Sequence, residues 1–246
     1  MKRFARHLAL IARPCPAAIG ALLCLALPAL ATERATFDVR IAGIRVGYVA
    51  YAADSNDTRY GASSEVRSTG LAAAVRPFKF QSRVQGRIVG GTYRPQRYEE
   101  SADTGARQSQ VVIGYRGRTP EVLVARNDQD NATVVPATPQ HQTGALDPMT
   151  VTFALLRDRP AGPEACTLDI RMFDGIRATR LRVFQSPTPN VCRGVYTRIA
   201  GFSPADMAER TSFDMDITLS PAPSGHLQVE RVALDTLLGA ATLERR

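Results

Sequence analysis

Short runs of alternating apolar and polar residues fill most of the chain and are separated by turn residues. Thr36–Ile41 and Ile44–Val49 flank Ala42-Gly43, as the two arms of a β-hairpin do. Further strand candidates are 59–69, 76–88, 93–100, 108–115, 120–126, 191–202, 227–234 and 240–243. Because this alternation puts successive side chains on opposite faces of a sheet, the pattern predicts an all-β antiparallel meander.

The clearest predicted hairpin spans residues 168–184. Leu168, Ile170 and Met172 alternate with polar neighbours, and a return strand follows over 176–184. Asp174-Gly175 between them is typical of a two-residue turn, in which glycine permits a positive φ.

One stretch departs from the strand pattern. Asp147 is an N-cap residue type, a proline follows at the first helical position, and Met149, Phe153 and Leu156 recur at spacings of four and three. This predicts one short central helix over about 147–157. A large antiparallel sheet tends to curl, so we expect an open or closed barrel-like curved sheet with this helix against its mouth or concave side.

The first 31 residues have the layout of a secretory signal peptide. A basic start precedes the uncharged run 17–30, and Ala29-Leu30-Ala31 is a small-x-small cleavage signal. The alternative is a retained membrane helix, but the run has 14 residues and spanning a bilayer takes about 20. We therefore predict a signal peptide over 1–31, one β-rich domain over 32–246, a periplasmic location and no transmembrane segment after cleavage.

The formal net charge of +8 overstates the basicity of the predicted mature chain. Four of the 31 Lys and Arg residues lie in the signal, which leaves 27 basic against 23 acidic residues and a net charge of +4. Without interleaved aromatic residues, this charge does not indicate nucleic acid.

Cys166 and Cys192 remain after the signal is removed. An isolated pair in an exported protein favours a structural disulfide, for which the chain-entropy estimate is roughly 3–4 kcal/mol. A redox or metal pair is the alternative, but the cysteines have neither CxxC spacing nor a neighbouring histidine.

No motif predicts a catalytic residue, a metal or a cofactor. His141 and His226 lie far apart and form no HExxH pattern. Asp128, Asp130 and Asn131 resemble half of a calcium loop, but they lack its glycine and its bidentate glutamate, so a polar loop is favoured.

Four arginines concentrate on the predicted 168–184 hairpin: Arg171, Arg177, Arg180 and Arg182. Arg180 and Arg182 share one strand face. Guanidinium groups can hold the phosphate or carboxylate of a lipid or glycan through forked hydrogen bonds. The alternative is the solvated face of an amphipathic hairpin.

Several motifs, in this order, resemble a bacterial exported family, the domain-of-unknown-function family numbered 3108. They are Ile41–Gly47, Gly91–Pro95 with Tyr98, the helix start Asp147–Thr150, and Phe173–Gly175. The resemblance covers about residues 35–245. It implies export and a β-rich fold, and it transfers no catalytic residues.

These observations favour a non-enzymatic binding or carrier protein for an apolar or lipid-like envelope ligand. The candidate ligand-binding residues are Phe153, Leu156, Arg171, Arg180 and Arg182. One alternative is an envelope hydrolase or transferase whose site is not recognisable. Another is a structural or assembly factor that binds another envelope protein through an exposed strand edge.

Overall fold

The computed structural model describes residues 31–127, 134–237 and 239–246. Within these ranges thirteen strands form one antiparallel sheet. Their bounds are β1 Ala31–Ile41, β2 Ile44–Ser55, β3 Arg59–Ser68, β4 Lys79–Val89, β5 Thr92–Asp103, β6 Gln108–Arg116, β7 Thr119–Asn127, β8 Leu168–Phe173, β9 Ala178–Gln185, β10 Val191–Ala200, β11 Ser212–Pro221, β12 Leu227–Thr236 and β13 Gly239–Arg245. The short helices are α1 Gly70–Val75, α2 Pro139–Gln142, α3 Pro148–Leu156 and α4 Pro204–Glu209, and a 3₁₀ turn spans Pro163–Cys166.

The sheet is a meander whose two halves meet at the first and last strands. Its order is β7-β6-β5-β4-β3-β2-β1-β13-β12-β11-β10-β9-β8. β1 pairs with β2 on one side and with β13 on the other, where Phe37 lies opposite Arg245. The sheet curls into a nearly closed barrel, with β7 and β8 as its two edges, and this confirms the predicted all-β, barrel-like fold.

Alternation of burial along the strands shows which face points into the barrel. On β4, for example, Ser82 and Val84 are buried while Gln81, Arg83 and Gln85 are exposed. The same alternation elsewhere fills the interior with large side chains, among them Phe37, Tyr98, Ile113 and Phe173. The barrel interior is therefore a packed core.

Helix α3 lies inside the barrel, where it contacts β3, β4, β5, β8 and β12. As predicted, Asp147 caps it, and the carboxylate accepts a 2.8 Å hydrogen bond from the Thr150 backbone N–H. The sequence pattern indicated one apolar face, but Thr150, Val151 and Ala154 are buried as well. A helix surrounded by sheet buries nearly its whole circumference.

The predicted disulfide is present between Cys166 and Cys192, which are 26 positions apart. It joins the 3₁₀ turn before β8 to β10, two strands away in the sheet.

Three sequence predictions need correction. The turn between β8 and β9 has four residues instead of two, because the Asp174 carboxylate accepts from both the Ile176 and the Arg177 backbone N–H. The strands predicted from the sequence do not include β11, although Phe213, Met215, Ile217 and Leu219 alternate there with polar residues. The sequence pattern also gives one central helix, with at most a helical turn at 70–74, where the described ranges contain four short helices, α1 at Gly70–Val75 among them.

Two predictions lie outside the described residues. Residues 1–30 of the predicted signal peptide are one, and the loop with Asp128, Asp130 and Asn131 is the other. In the part of the chain that is described, no helix has the length and apolar character needed to cross a membrane.

Candidate functional site

The segment 134–147 fills the gap between the two sheet edges. Near its start, the Ala137 N–H donates to the Ile176 carbonyl at 2.8 Å. Near its end, the Gly144 N–H donates to the Arg118 carbonyl at 2.8 Å, and the Leu146 N–H donates to the Arg171 carbonyl at 2.9 Å. The segment thus links the β6–β7 turn to β8 and completes the barrel without a strand pair between β7 and β8.

A cleft of about 600 Å³ opens beside this segment, and we call it the seam cleft. Its walls come from the β4–β5 turn and β5, the β6–β7 turn, segment 134–147 and β8 with the adjacent Arg180. The lining residues are Gly91, Thr92, Tyr93, Arg94, Pro95, Tyr115, Gly117, Arg118, Gly144, Ala145, Leu146, Thr167, Leu168, Asp169, Ile170, Arg171 and Arg180.

The floor of the seam cleft is apolar. Tyr93, Tyr115, Leu146, Leu168 and Ile170 are partly buried and pack against the core cluster. The hydroxyl oxygen of Tyr115 is buried and has no hydrogen-bond partner within the described ranges. The floor therefore offers apolar contact, with the buried Tyr115 hydroxyl close by.

Two arginines from opposite walls converge at Gly144, which has a φ of +79°. A Cβ placed on Gly144 would lie 3.3 Å from Nη2 of Arg118 and 3.4 Å from Nη2 of Arg171. Arg171 also donates to the Thr143 carbonyl at 2.8 Å. In the described part of the chain neither guanidinium has an ion-pair partner, since Asp169, the carboxylate in the lining, is bound to Arg180.

The sequence-predicted arginines divide at this cleft. Arg171 and Arg180 line it, whereas Arg182 lies beside it on the exposed face of β9, opposite Asp169. Arg180 is paired with Asp169 through two 2.6 Å hydrogen bonds, and this hydrogen bonding lowers the pKa of Asp169. Arg118 was not predicted, because nothing local to Gly117-Arg118 shows that this turn faces β8.

The two predicted apolar residues lie beneath the cleft and not in its wall. Phe153 is 0% exposed and Leu156 is 4% exposed. Phe153 stacks on Tyr60 with a centroid distance of 5.0 Å and meets Tyr93 edge-on at 5.6 Å. Tyr93 therefore connects the floor of the seam cleft to the aromatic packing around α3.

Next to Leu146 the chain turns inward, and Asp147 becomes fully buried. Its carboxylate accepts from the Thr150 hydroxyl at 2.7 Å, in addition to the backbone N–H. The Thr150 hydroxyl lies 2.8 Å from that of Tyr60, and Tyr60 donates because the Thr150 proton points to Asp147. Burial raises the pKa of Asp147 from 3.8 to about 6, although these hydrogen bonds oppose the rise.

The free energy of unfolding should fall as pH rises from about 4 to about 6. Folded Asp147 keeps its proton at a pH where the unfolded chain has lost it, so its contribution is complete below pH 3.8 and is lost through its folded-state pKa of about 6. Burial also raises the pKa values of Glu33 and Glu100, which act in the same direction. We expect Asp147 to account for about 2–3 kcal/mol of the fall, measured by urea unfolding at several pH values.

Asp147→Asn should flatten this pH profile, because the amide oxygen can still accept from Thr150 while the titrating group is gone. The same substitution at the exposed Asp214 is the control and should leave the slope unchanged. An unaltered slope in the Asp147 variant would assign the pH dependence elsewhere.

Within the described ranges, the remaining chemistry-bearing residues do not assemble into a second site. Among the described residues, no group of three or more His, Cys, Asp or Glu side chains is placed to hold a metal ion. His141 contacts Thr138 within its own turn at 3.0 Å. His226 lies in the β11–β12 turn, where its backbone N–H contacts Ser224.

A larger groove of about 830 Å³ crosses the outer face of the N-terminal strands. Its outward-facing residues are small or polar, as Ala50, Ala52 and Ser63 illustrate. Glu99 in its lining binds both Arg83 and Arg97, whereas Arg34 and Arg245 line it without an ion-pair partner in the described part of the chain. The seam cleft differs in that its cations lie beside a floor of large apolar and aromatic side chains.

A nearly closed antiparallel sheet around a buried helix defines a β-barrel-like domain. The model of the family described as "Protein of unknown function (DUF3108)" matches residues 36–244, and the chain belongs to this family. Among curated proteins, none matches the chain significantly. One similar solved structure is the β-barrel-like protein of domain of unknown function DUF1849 from Brucella abortus, with 9% sequence identity, coverage of 89% of this chain and 97% of that one, and a TM-score of 0.47.

Proposed function

We propose that this protein is a non-enzymatic binding or carrier protein for an amphipathic anion, a ligand with an apolar chain and a phosphate or carboxylate headgroup. The observation that carries the proposal is the pair of unpaired guanidinium groups, Arg118 and Arg171, beside the apolar floor of the seam cleft.

The electrostatics of this pair support an anionic headgroup. Like charges brought together repel, and an anion between them converts that repulsion into attraction. Arginine suits the task, because its planar fork matches the oxygens of a phosphate or carboxylate. Arg94 lines the same cleft and supplies a third cation.

The size and the lining of the cleft support an apolar portion of the ligand. Its volume of about 600 Å³ lies within the roughly 300–1,000 Å³ typical of small-molecule sites. In this proposal Tyr93, Leu168 and Ile170 contact the chain of the ligand. Arg180 forms part of the rim, and Phe153 and Leu156 support the floor from below.

The disulfide supports a location in an oxidising compartment, because such bonds persist mainly in exported proteins. We therefore propose a periplasmic location and an envelope lipid as the source of the ligand.

One observation favours an assembly factor as the second candidate. Strand β7 is an edge of the sheet, and its Val122 and Leu123 are 38% and 50% exposed. An apolar strand edge can accept a strand from a partner protein.

Replacing both Arg118 and Arg171 with alanine should weaken binding of dodecyl phosphate at least tenfold, since hydrogen bonds to a charged group contribute about 1.5–3 kcal/mol each. Isothermal titration calorimetry below the micelle concentration measures the affinity. Dodecanol, which has the same chain without the charge, should bind the wild-type protein and the double variant equally.

Arg116→Ala and Arg182→Ala are matched controls, because both side chains are exposed and neither lines the seam cleft. They should leave the affinity for dodecyl phosphate unchanged. Equal losses in the controls, or equal wild-type affinity for dodecanol and dodecyl phosphate, would overturn the assignment.

A further inference from the structure

Helix α1 exposes apolar side chains that a soluble surface helix normally buries. Its sequence is Gly-Leu-Ala-Ala-Ala-Val, and none of its residues is buried. Leu71 is 87% exposed and Val75 is 86% exposed, and their spacing of four places them on one helix face. Surface helices ordinarily turn their apolar face to the core.

Neighbouring turns extend this apolar surface across one end of the barrel. Ile44 at the start of β2 is 70% exposed, and Leu237 in the β12–β13 turn is 47% exposed. Hydrogen bonds tie these segments together, because the Thr69 N–H donates to the Val46 carbonyl at 3.0 Å and the Ala42 N–H to the Ala240 carbonyl at 2.9 Å. With Phe78, which is 37% exposed, these residues form what we call the apolar rim: Ile44, Leu71, Val75, Phe78 and Leu237.

Positive charge surrounds α1. Residues 66–79 contain Arg67, Arg76 and Lys79 and no Asp or Glu. Arg67 is neutralised by Glu65 at 2.7 Å. Neither Arg76 nor Lys79 has an ion-pair partner within the described ranges. Asp103 lies opposite Lys79 in the β4–β5 register without forming an ion pair with it, and Arg76 lies next to the exposed Val75.

We propose that the apolar rim docks on the surface of a lipid bilayer that carries anionic headgroups. Leu71 and Val75 enter the boundary between headgroups and acyl chains, while Arg76 and Lys79 contact lipid phosphates. Apolar side chains bordered by cations are the arrangement that interfacial segments use, because burial and attraction to anionic lipid act together. The surface lies apart from the seam cleft and does not depend on the function proposed for it.

The charges favour a bilayer over a second copy of this chain. In a two-fold dimer built on α1, each copy would present the same patch to the other. Arg76 and Lys79 would then approach their own counterparts, and their repulsion would oppose the contact. An anionic membrane satisfies the apolar and the cationic residues at once.

Sedimentation with vesicles tests the proposal. We expect the wild-type protein to bind vesicles made of equal parts phosphatidylglycerol and phosphatidylcholine, and to bind pure phosphatidylcholine far less. Replacing Leu71 and Val75 with serine should lower the partition coefficient about tenfold or more. Arg76→Gln with Lys79→Gln should weaken binding to the anionic vesicles and remove most of its salt dependence.

Val122→Ser with Leu123→Ser is the matched control, because it removes the same residue types from exposed positions on β7. This control should bind like the wild-type protein, and urea unfolding should show unchanged stability for the Leu71 and Val75 variant. The Arg118 and Arg171 double variant should also keep its vesicle binding, which separates this surface from the seam cleft.

Three results would overturn the proposal. They are absence of wild-type binding to anionic vesicles, equal binding after the Leu71 and Val75 substitutions, and a concentration-dependent dimer that these substitutions abolish in analytical ultracentrifugation. The last result would identify a second copy of the chain as the occupant.

Discussion

Replacing Phe153 with alanine should lower the free energy of unfolding by about 3–5 kcal/mol. The ring is fully buried and lies between Tyr60 and Tyr93 at centroid distances of 5.0 and 5.6 Å. Because α3 is enclosed by the sheet, its neighbours cannot collapse freely into the vacated space. Urea unfolding monitored by far-UV circular dichroism measures the change, since the chain has no tryptophan.

Phe184→Ala is the control for the loss of a phenyl ring. Phe184 lies on β9 and is 47% exposed, so this substitution should cost less than about 1 kcal/mol. Similar losses at both positions would mean that α3 is not held by the packing described. Phe153→Leu keeps most of the apolar volume and should leave the affinity for dodecyl phosphate unchanged, whereas a residue that contacts the ligand would alter it.

The elements that the sequence predicts well are those specified by neighbouring residues. The β1–β2 hairpin follows from alternation on either side of Ala42-Gly43, where both residues adopt positive φ. The start of α3 follows from Asp147, whose cap bond reaches only to Thr150. Such local hydrogen bonds act in the same way in many folds, and the sequence pattern therefore reveals them.

The elements that the sequence predicts poorly depend on partners that are distant along the chain. Phe37 pairs with Arg245, and no local pattern selects β13 as the neighbour of β1. The four-residue turn after β8 shows the same limit at short range. Asp174-Gly175 is typical of a two-residue turn, but side-chain acceptance by Asp174 favours the longer loop.

The candidate site shows the same division between local and distant information. Alternation along the β8–β9 hairpin predicts that Arg171 and Arg180 project from the sheet, and both line the seam cleft. Arg118 comes close to Arg171 because the segment 134–147 binds both the β6–β7 turn and β8. It does so through backbone hydrogen bonds, which do not depend on the identity of the side chains. A sequence pattern carries no signal for such contacts.

Replacing Cys166 and Cys192 with alanine should lower the free energy of unfolding by about 3–4 kcal/mol, because the open chain gains the loop entropy that the bond removes. Both cysteines are buried, and they are 26 positions apart. The bond anchors the segment that enters β8, an edge strand joined to segment 134–147 through Leu146. Thr167 and Leu168, which follow Cys166 directly, line the seam cleft.

Urea unfolding of the oxidised protein, the reduced protein and the double variant measures this contribution. Reduction should bring the wild-type protein close to the stability of the double variant and should leave the variant unchanged. A loss below about 1 kcal/mol in the variant would contradict the entropic account, because it would require the unfolded chain to be compact already around this loop. Binding of dodecyl phosphate by the folded variant then tests whether the bond also shapes the seam cleft. An unchanged affinity means that strand pairing alone positions Thr167 and Leu168. A weaker affinity means that the disulfide also holds this wall of the seam cleft.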